Sequence, residues 1–262
     1  MKASLSPARS KKAVDARLHG QADPTAQKLI KEAHLLGEKV ARLRFRPPVT
    51  HVYNPLIYAW PVHELYLRRF GRTGKRVVFL GMNPGPFGMV QTGVPFGEIA
   101  AVRDWMGIRG EISRPPAQHP RRPIQGFDCP RAEISGKRLW GLFAQRFGSA
   151  DEFFREHFVV NYCPIAFLEK SGSNRTPDKL PAREAKSLRE ICNAHLQRVL
   201  EILRPEWAIG VGGFATERLR EVVPENSVRI GTILHPSPAC PAANKDWAGK
   251  VTAQLVSLGV WS

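Results

Sequence analysis

Four short apolar runs interrupt an otherwise mixed chain: RVVFLG over 76–81, FVVNYC over 158–163, WAIGVG over 207–212 and VRIGTIL over 228–234. Each is rich in β-branched or aromatic side chains and nearly free of charge, the pattern of a strand buried on both faces. Around them, apolar positions recur at helical spacing. Leu29, Ile30, Ala33, Leu36, Val40 and Leu43 predict a helix over 25–44, and further helices are predicted over 97–106, 136–147, 182–203, 214–223 and 246–258. Strands alternating with helices predict an α/β fold, with a central, mostly parallel sheet of about four strands and helices on both faces. In such a sheet the ligand crevice lies at the carboxyl ends of the strands.

Those ends are polar. The first run leads into Met82, Asn83, Pro84 and Gly85; the second carries Asn161; the third ends in Gly212 and Gly213; the fourth leads into His235, Pro236, Ser237 and Pro238. Taken singly, an Asn at a strand end is a cap or turn residue and a lone His is structural. Together they place two amides and an imidazole on one rim beside Gly/Pro-rich loops, and a site is the better reading.

Composition adds a partner. The chain has 262 residues with 22 Gly and 22 Pro, which suits a loop-rich α/β body better than a helical bundle. Lys and Arg number 39 against 23 Asp and Glu, a formal net charge of +16. Such an excess binds polyanions through counterion release, so nucleic acid is the first partner to consider, with a plain soluble basic protein as the alternative. Residues 1–50 hold 11 basic and 4 acidic residues, so +9 remains for the rest and the body is basic in its own right. Residues 1–24 lack periodicity and read as a flexible basic tail; 25–262 read as a single domain. No apolar run resembles a signal-peptide core or approaches the roughly 18 residues of a membrane span, so an intracellular protein without a membrane partner is expected. Cys129, Cys163, Cys192 and Cys240 form no CxxC pair, which argues against a disulfide scaffold or a zinc ribbon.

Several chemistries fall away. Gly210, Gly212 and Ala215 spell G-x-G-x-x-A after a strand, yet no acid occurs over 227–245 to receive a ribose hydroxyl, so a dinucleotide is not expected. Gly212 and Gly213 then serve close packing or the approach of a phosphate to a helix start. No Walker A lysine, HExxH pair or GxSxG elbow is present. A Cys240 nucleophile with His235 as base lacks an orienting acid and sits among three prolines. Neutral amides, an imidazole and backbone N–H groups remain, a set suited to reading a nucleobase edge and stabilising a leaving anion.

Five blocks, GMNPGPFGMVQTGVPFGE (81–98), RRPIQGFDCPRAEISGKRLWGLF (121–143), FVVNYCPIAFL (158–168), SGSNRTPDKLPA (171–182) and HPSPACPAANKDW (235–247), resemble in order the single-strand-selective monofunctional uracil-DNA glycosylase family of the uracil-DNA glycosylase superfamily. The likeness covers roughly residues 50–260. It implies a base flipped into a pocket at the strand ends and hydrolysis of the bond between uracil and deoxyribose, without metal or organic cofactor. By similarity, Asn83 orients the attacking water and His235 donates to the uracil oxygen that becomes anionic. Asn161 reads the uracil edge, Phe96 stacks on the base and the Met82 backbone lines the pocket. Gly85 stands where the strictly uracil-specific branch has a tyrosine, which implies room for C5 substituents such as that of 5-hydroxymethyluracil. DNA contact is expected from Ser171, Ser173, Asn174, Arg175 and Lys179 in one loop, and from Ser237, Pro238, Ala239, Asn244 and Lys245 in a second, wedge-like loop. Ala239 and Cys240 depart from the Arg-Asn of vertebrate-type members, which implies a weaker wedge.

The expected activity is therefore excision of uracil and C5-oxidised pyrimidines from single- and double-stranded DNA, leaving an abasic site for base excision repair. The expected protein is a monomer, in the bacterial cytoplasm or the eukaryotic nucleus. A catalytically weak nucleic-acid-binding protein on the same fold and an enzyme of free nucleotides stay open as alternatives.

Overall fold

The computed structural model describes residues 23–262. The expected tail lies outside them except at its end, where Asp23 accepts the Thr25 N–H at 2.8 Å and caps helix α1 (Pro24–Ala41). Ala26, Leu29, Ala33, Leu36 and Val40 form its buried stripe. After a first strand, β1 (Val49–Tyr53), come a single-turn helix α2 (Pro55–Tyr58), α3 (Trp60–Phe70) and, further along the chain, a second single-turn helix, α4 (Met89–Thr92).

The central sheet follows expectation. Strands β2 (Val77–Gly81), β3 (His157–Asn161), β6 (Trp207–Val211) and β7 (Arg229–Ile233) lie in the order β3-β2-β6-β7, every pair parallel. All five residues of β2 and of β6 are buried, as central strands covered on both faces must be. The side chains of the sheet divide between two cores. Phe79, Ile209 and Val211 pack with residues of α3, α5 (Ile134–Phe147), α6 (Ala150–Glu156) and α9 (Trp247–Ser257). Leu80 and Ala208 pack with residues of α7 (Ala182–Leu203) and α8 (Gly213–Val222), while α1 contributes to both cores. The first core is dense in aromatics: Phe70 stacks on Phe154 at 3.9 Å between centroids and Phe143 on Phe153 at 4.3 Å. Truncating one such ring to Ala costs about 3–5 kcal/mol.

Gly210 explains the glycine pattern before α8. A Cβ there would stand 2.5 Å from the Thr216 backbone nitrogen, so the glycine lets α8 lie directly on β6. The helix predicted over 97–106 forms over 99–105, with Ala101–Trp105 wound as a π-helix. A second sheet was not anticipated: β1, β4 (Ala166–Glu169) and β5 (Asn174–Arg175) pair antiparallel in the order β1-β4-β5. It carries the chain from the end of β3 back over the rim, with Pro164 separating β3 from β4. Among the described residues no helix is long and apolar enough to cross a membrane.

Candidate active site

Strand register brings the first two polar ends together. Gly81 lies opposite Asn161, and the ladder continues past both strands: the Tyr162 N–H donates to the Gly81 carbonyl and the Cys163 N–H to that of Met82, each at 2.9 Å. The Met82 backbone is thus fixed, and Asn83 opens the loop that follows. On the other half of the sheet the Gly212 N–H donates to the Ile233 carbonyl at 2.9 Å, tying the start of α8 to the segment that carries His235.

Two bare Cα atoms make the space. A Cβ on Gly81 would meet the Asn161 amide and stand 2.7 Å from Phe96 Cζ. Gly212 has φ +88°, and a Cβ there would lie 3.1 Å from that of His235. Phe96, Asn161 and His235 therefore share one rim, with 6.4 Å between the Phe96 and His235 ring centroids. Phe96 itself is left-handed, φ +52°, a conformation that costs a bulky residue on the order of 1–3 kcal/mol. Its carbonyl is held by the Glu98 N–H at 2.7 Å and the Trp140 indole N–H at 3.1 Å, and Gly136 leaves room for it. Trp140 is buried, so the strained aromatic rests on rigid core.

The polar atoms are arranged for a ligand that both donates and accepts. Among the described residues Asn161 Nδ2 has only the Met89 sulfur as acceptor, at 3.3 Å, and Oδ1 is buried with no partner. Asn83 Nδ2 reaches the Ile165 carbonyl at a long 3.5 Å, which leaves Oδ1 as an acceptor. The Ser237 N–H donates to His235 Nδ1 at 3.0 Å, so Nδ1 is unprotonated and Nε2 carries the hydrogen. Burial lowers the His235 pKa below its ordinary value, so the ring is a neutral donor at neutral pH.

One residue of the rim escaped the sequence reading. Glu133, just before α5, accepts the Phe87 N–H at 3.3 Å, and its Cδ lies 2.7 Å from where a Cβ of Gly85 would stand. Its Cγ bears the same relation to Gly88, at 2.8 Å. Burial raises its pKa, partly opposed by hydrogen bonds from the Phe87 and Ser135 backbone. The only signal in the sequence is that Gly85 and Gly88 lack side chains; nothing local says which distant residue fills the gap.

The two loops differ in how their residues are used. Ser171, Ser173 and Lys179 are exposed. Asn174 instead donates to the Pro84 carbonyl at 3.1 Å, and Arg175 pairs with Glu169 at 2.9 Å, so these two brace the loop against the rim and the small sheet. In the second loop Pro238, Ala239 and Lys245 are exposed, Ser237 is half-buried and Cys240 packs inward on the core. Asn244 donates to the Pro238 carbonyl at 3.0 Å and accepts from Arg138 of α5 at 3.2 Å, while Arg138 also donates to the Pro236 carbonyl at 2.9 Å. Among the described residues no three His, Cys, Asp or Glu side chains cluster as a metal site.

The family model of the uracil DNA glycosylase superfamily matches residues 69–255. The single-strand selective monofunctional uracil-DNA glycosylases of Rattus norvegicus and Bos taurus are 45 % and 44 % identical to this chain over 239 residues, which is 90 % of this chain and 85 % and 87 % of theirs. The crystal structure of wild-type SMUG2 from Pedobacter heparinus superposes with a TM-score of 0.64 at 17 % identity, covering 89 % of this chain and 99 % of that one, a likeness of fold. With its parallel sheet, its rim of neutral amides and imidazole and these relatives, the chain belongs to the uracil-DNA glycosylase superfamily, in the single-strand-selective monofunctional family.

Proposed function

We propose that this protein is a monofunctional DNA glycosylase that flips uracil out of DNA and hydrolyses its N-glycosidic bond, leaving an abasic site. The observation that carries the reading is the unpartnered Asn161 Oδ1. A buried acceptor without a donor costs about 1–3 kcal/mol, and uracil N3–H is a donor that fits it. Asn161 Nδ2, held only by a weak thioether acceptor, turns to uracil O4. Cytosine presents an unprotonated N3 and an amino group there and mismatches the amide twice.

Chemistry follows from the other two side chains. As the C1′–N1 bond breaks, its electron pair leaves with the base and negative charge grows on uracil O2, where the neutral His235 Nε2–H donates a hydrogen bond. Asn83 Oδ1 orients the water that adds to C1′. An amide cannot take up the water's proton fully, so the sugar must gain oxocarbenium character before water adds. Phe96, fixed by core contacts, stacks on the extruded base, which repays part of the few kcal/mol of unstacking.

Substrate range rests on Gly85. With no side chain there, the wall near C5 is backbone and the Glu133 carboxyl, and it admits oxidised pyrimidines such as 5-hydroxymethyluracil. Single- and double-stranded DNA are both substrates, with Ala239 at the exposed tip of the second loop a small wedge that favours single strands. The protein acts as a monomer in base excision repair, since one pocket on one strand needs no symmetry.

Release of base from labelled oligonucleotides, followed by alkaline cleavage at the abasic site, tests the reading. The native protein is expected to release uracil and 5-hydroxymethyluracil, and His235→Ala to lower the rate constant roughly 100- to 1,000-fold, the effect of removing one anion-stabilising donor. Asn83→Ala is expected to fall at least as far. Salt-sensitive DNA binding with no base release by the native protein would point to a binding protein on the same fold.

A further inference from the structure

At the opposite end of the sheet from the rim, before β2 and β6 begin, two grooves share Thr73 and Lys75. The larger, about 1150 Å³, is lined by Lys28, Lys31, Lys75, Arg76, Arg198 and Arg204 against Glu32, Glu201 and Glu206. The smaller, about 430 Å³, adds Arg68, Arg69, Arg72 and Arg155 against Asp151. Most of the acids are already paired. Arg76 lies 3.9 Å from Glu206, Arg198 is bonded to Glu201 and lies 3.8 Å from Glu32, and Arg69 lies 3.4 Å from Asp151.

Four cations are left over. Lys28, Lys31, Arg72 and Arg204 are exposed, and none forms an ion pair or side-chain hydrogen bond with a described residue. A fifth, Lys75, is buried between the grooves with its ammonium on the Phe154 carbonyl. Burial and then the charge of Arg72 pull its pKa down to about 8, partly opposed by the carboxylate of Asp23. Arg204 closes α7 in the left-handed conformation, φ +47°, where glycine carries no penalty.

We infer that this pair of grooves is a second nucleic-acid-binding surface, which takes the phosphodiester backbone of a DNA segment other than the one being repaired. Concave, low-dielectric walls concentrate the field of these cations and raise the local concentration of polyanion. The free cations are strung across two adjoining grooves and do not converge on one point, which suits a linear array of phosphates better than one small anion. A five-residue strand spans about 16 Å, so a straight duplex seated on the rim does not also fill the grooves. The inference stands apart from the rim's chemistry.

The test uses the full-length protein and a uracil-free 12-base-pair duplex as probe. Native protein is expected to bind two duplexes, and Lys31→Glu/Arg72→Glu/Arg204→Glu only one. The slope of log affinity against log salt for total binding is expected to fall by about 2–3 in the triple variant, given roughly 0.9 per neutralised phosphate. Uracil release from a six-nucleotide single strand should stay within twofold of native. Arg204→Gly removes one charge at a position that favours glycine, so it keeps the fold while lowering the slope by about 1. One duplex per native molecule, or an unchanged slope in both variants, overturns the inference. Uracil release falling in step with the slope overturns it too, because the charges would then serve the rim. Tripolyphosphate matching the duplex at equal phosphate concentration would reassign the grooves to small phosphates.

Discussion

Among the described residues the buried Asn161 Oδ1 has no partner, and its amide N–H₂ has only a sulfur for company. Such an atom lowers stability until a donor arrives. Asn161→Leu, close in shape and without polar atoms, is therefore expected to raise the unfolding free energy by about 1–3 kcal/mol while abolishing uracil release. Thermal or urea unfolding beside the release assay checks both; a variant less stable than native would mean that the amide is used by the fold itself. Asn83, Asn161 and His235 could be picked out in the sequence because strand ends predict where polar residues converge. The roles of Phe96 and Glu133 could not be read that way. Phe96 needs the Trp140 indole and the bare Gly136 to hold its carbonyl, and Glu133 needs Gly85 and Gly88 to come near, and neither meeting is local.

Helix α5 supports the second loop, the proposed wedge, through one side chain. Arg138 donates to the Pro236 carbonyl and to Asn244, and Asn244 in turn holds the Pro238 carbonyl, so the stretch directly after His235 is fastened at Pro236 and Pro238. Hydrogen bonds from a charged donor contribute about 1.5–3 kcal/mol each. Arg138→Ala is expected to slow excision from duplex DNA at least tenfold and from single strands by less, because only the duplex needs a rigid wedge. Arg138→Lys should restore part of the duplex rate. Equal losses on both substrates would assign Arg138 to plain phosphate contact. The four parallel strands were legible because long apolar runs have one reading when helices separate them. Strands β1 and β4 were not: VTHVY alternates imperfectly and has a register shift after Val49, and AFLE follows Pro164 so closely that it reads as a continuation of β3. α3 was missed because its buried face includes His63 and Tyr66, which a count of aliphatic positions passes over.

Across the whole molecule, acid sensitivity comes from histidines the reaction does not use. His157 lies in the aromatic core, its Nδ1–H directed to the Phe153 carbonyl at 3.2 Å while Nε2 accepts the Trp261 indole N–H at 3.2 Å. Nδ1 of His63 bonds the Gly93 carbonyl at 2.7 Å. Burial pulls both pKa values down to about 4. The unfolded chain protonates first, near pH 6.5, so these two groups leave stability unchanged above that pH. Stability then falls as the pH drops toward 4, by about 1.4 kcal/mol per pH unit for each group. His195, which burial also pulls down to about 4, adds a third such contribution, so urea unfolding across pH 7.5–4.5 should show the summed slope, and His157→Phe should remove about a third of it. It should also lower stability at pH 7.5 by about 1–3 kcal/mol, since the Trp261 indole loses its acceptor. An unchanged slope in that variant would clear His157 of the effect.

The four strands that set the rim and the basic grooves at opposite ends of one sheet also separate two design problems. Residues about 16 Å apart that share no partner contribute nearly additively to free energies. Substitutions at Gly85 aimed at lesion choice can therefore be combined with charge changes at Lys31 or Arg204 aimed at residence on DNA, each set optimised alone and then joined without re-screening the pair.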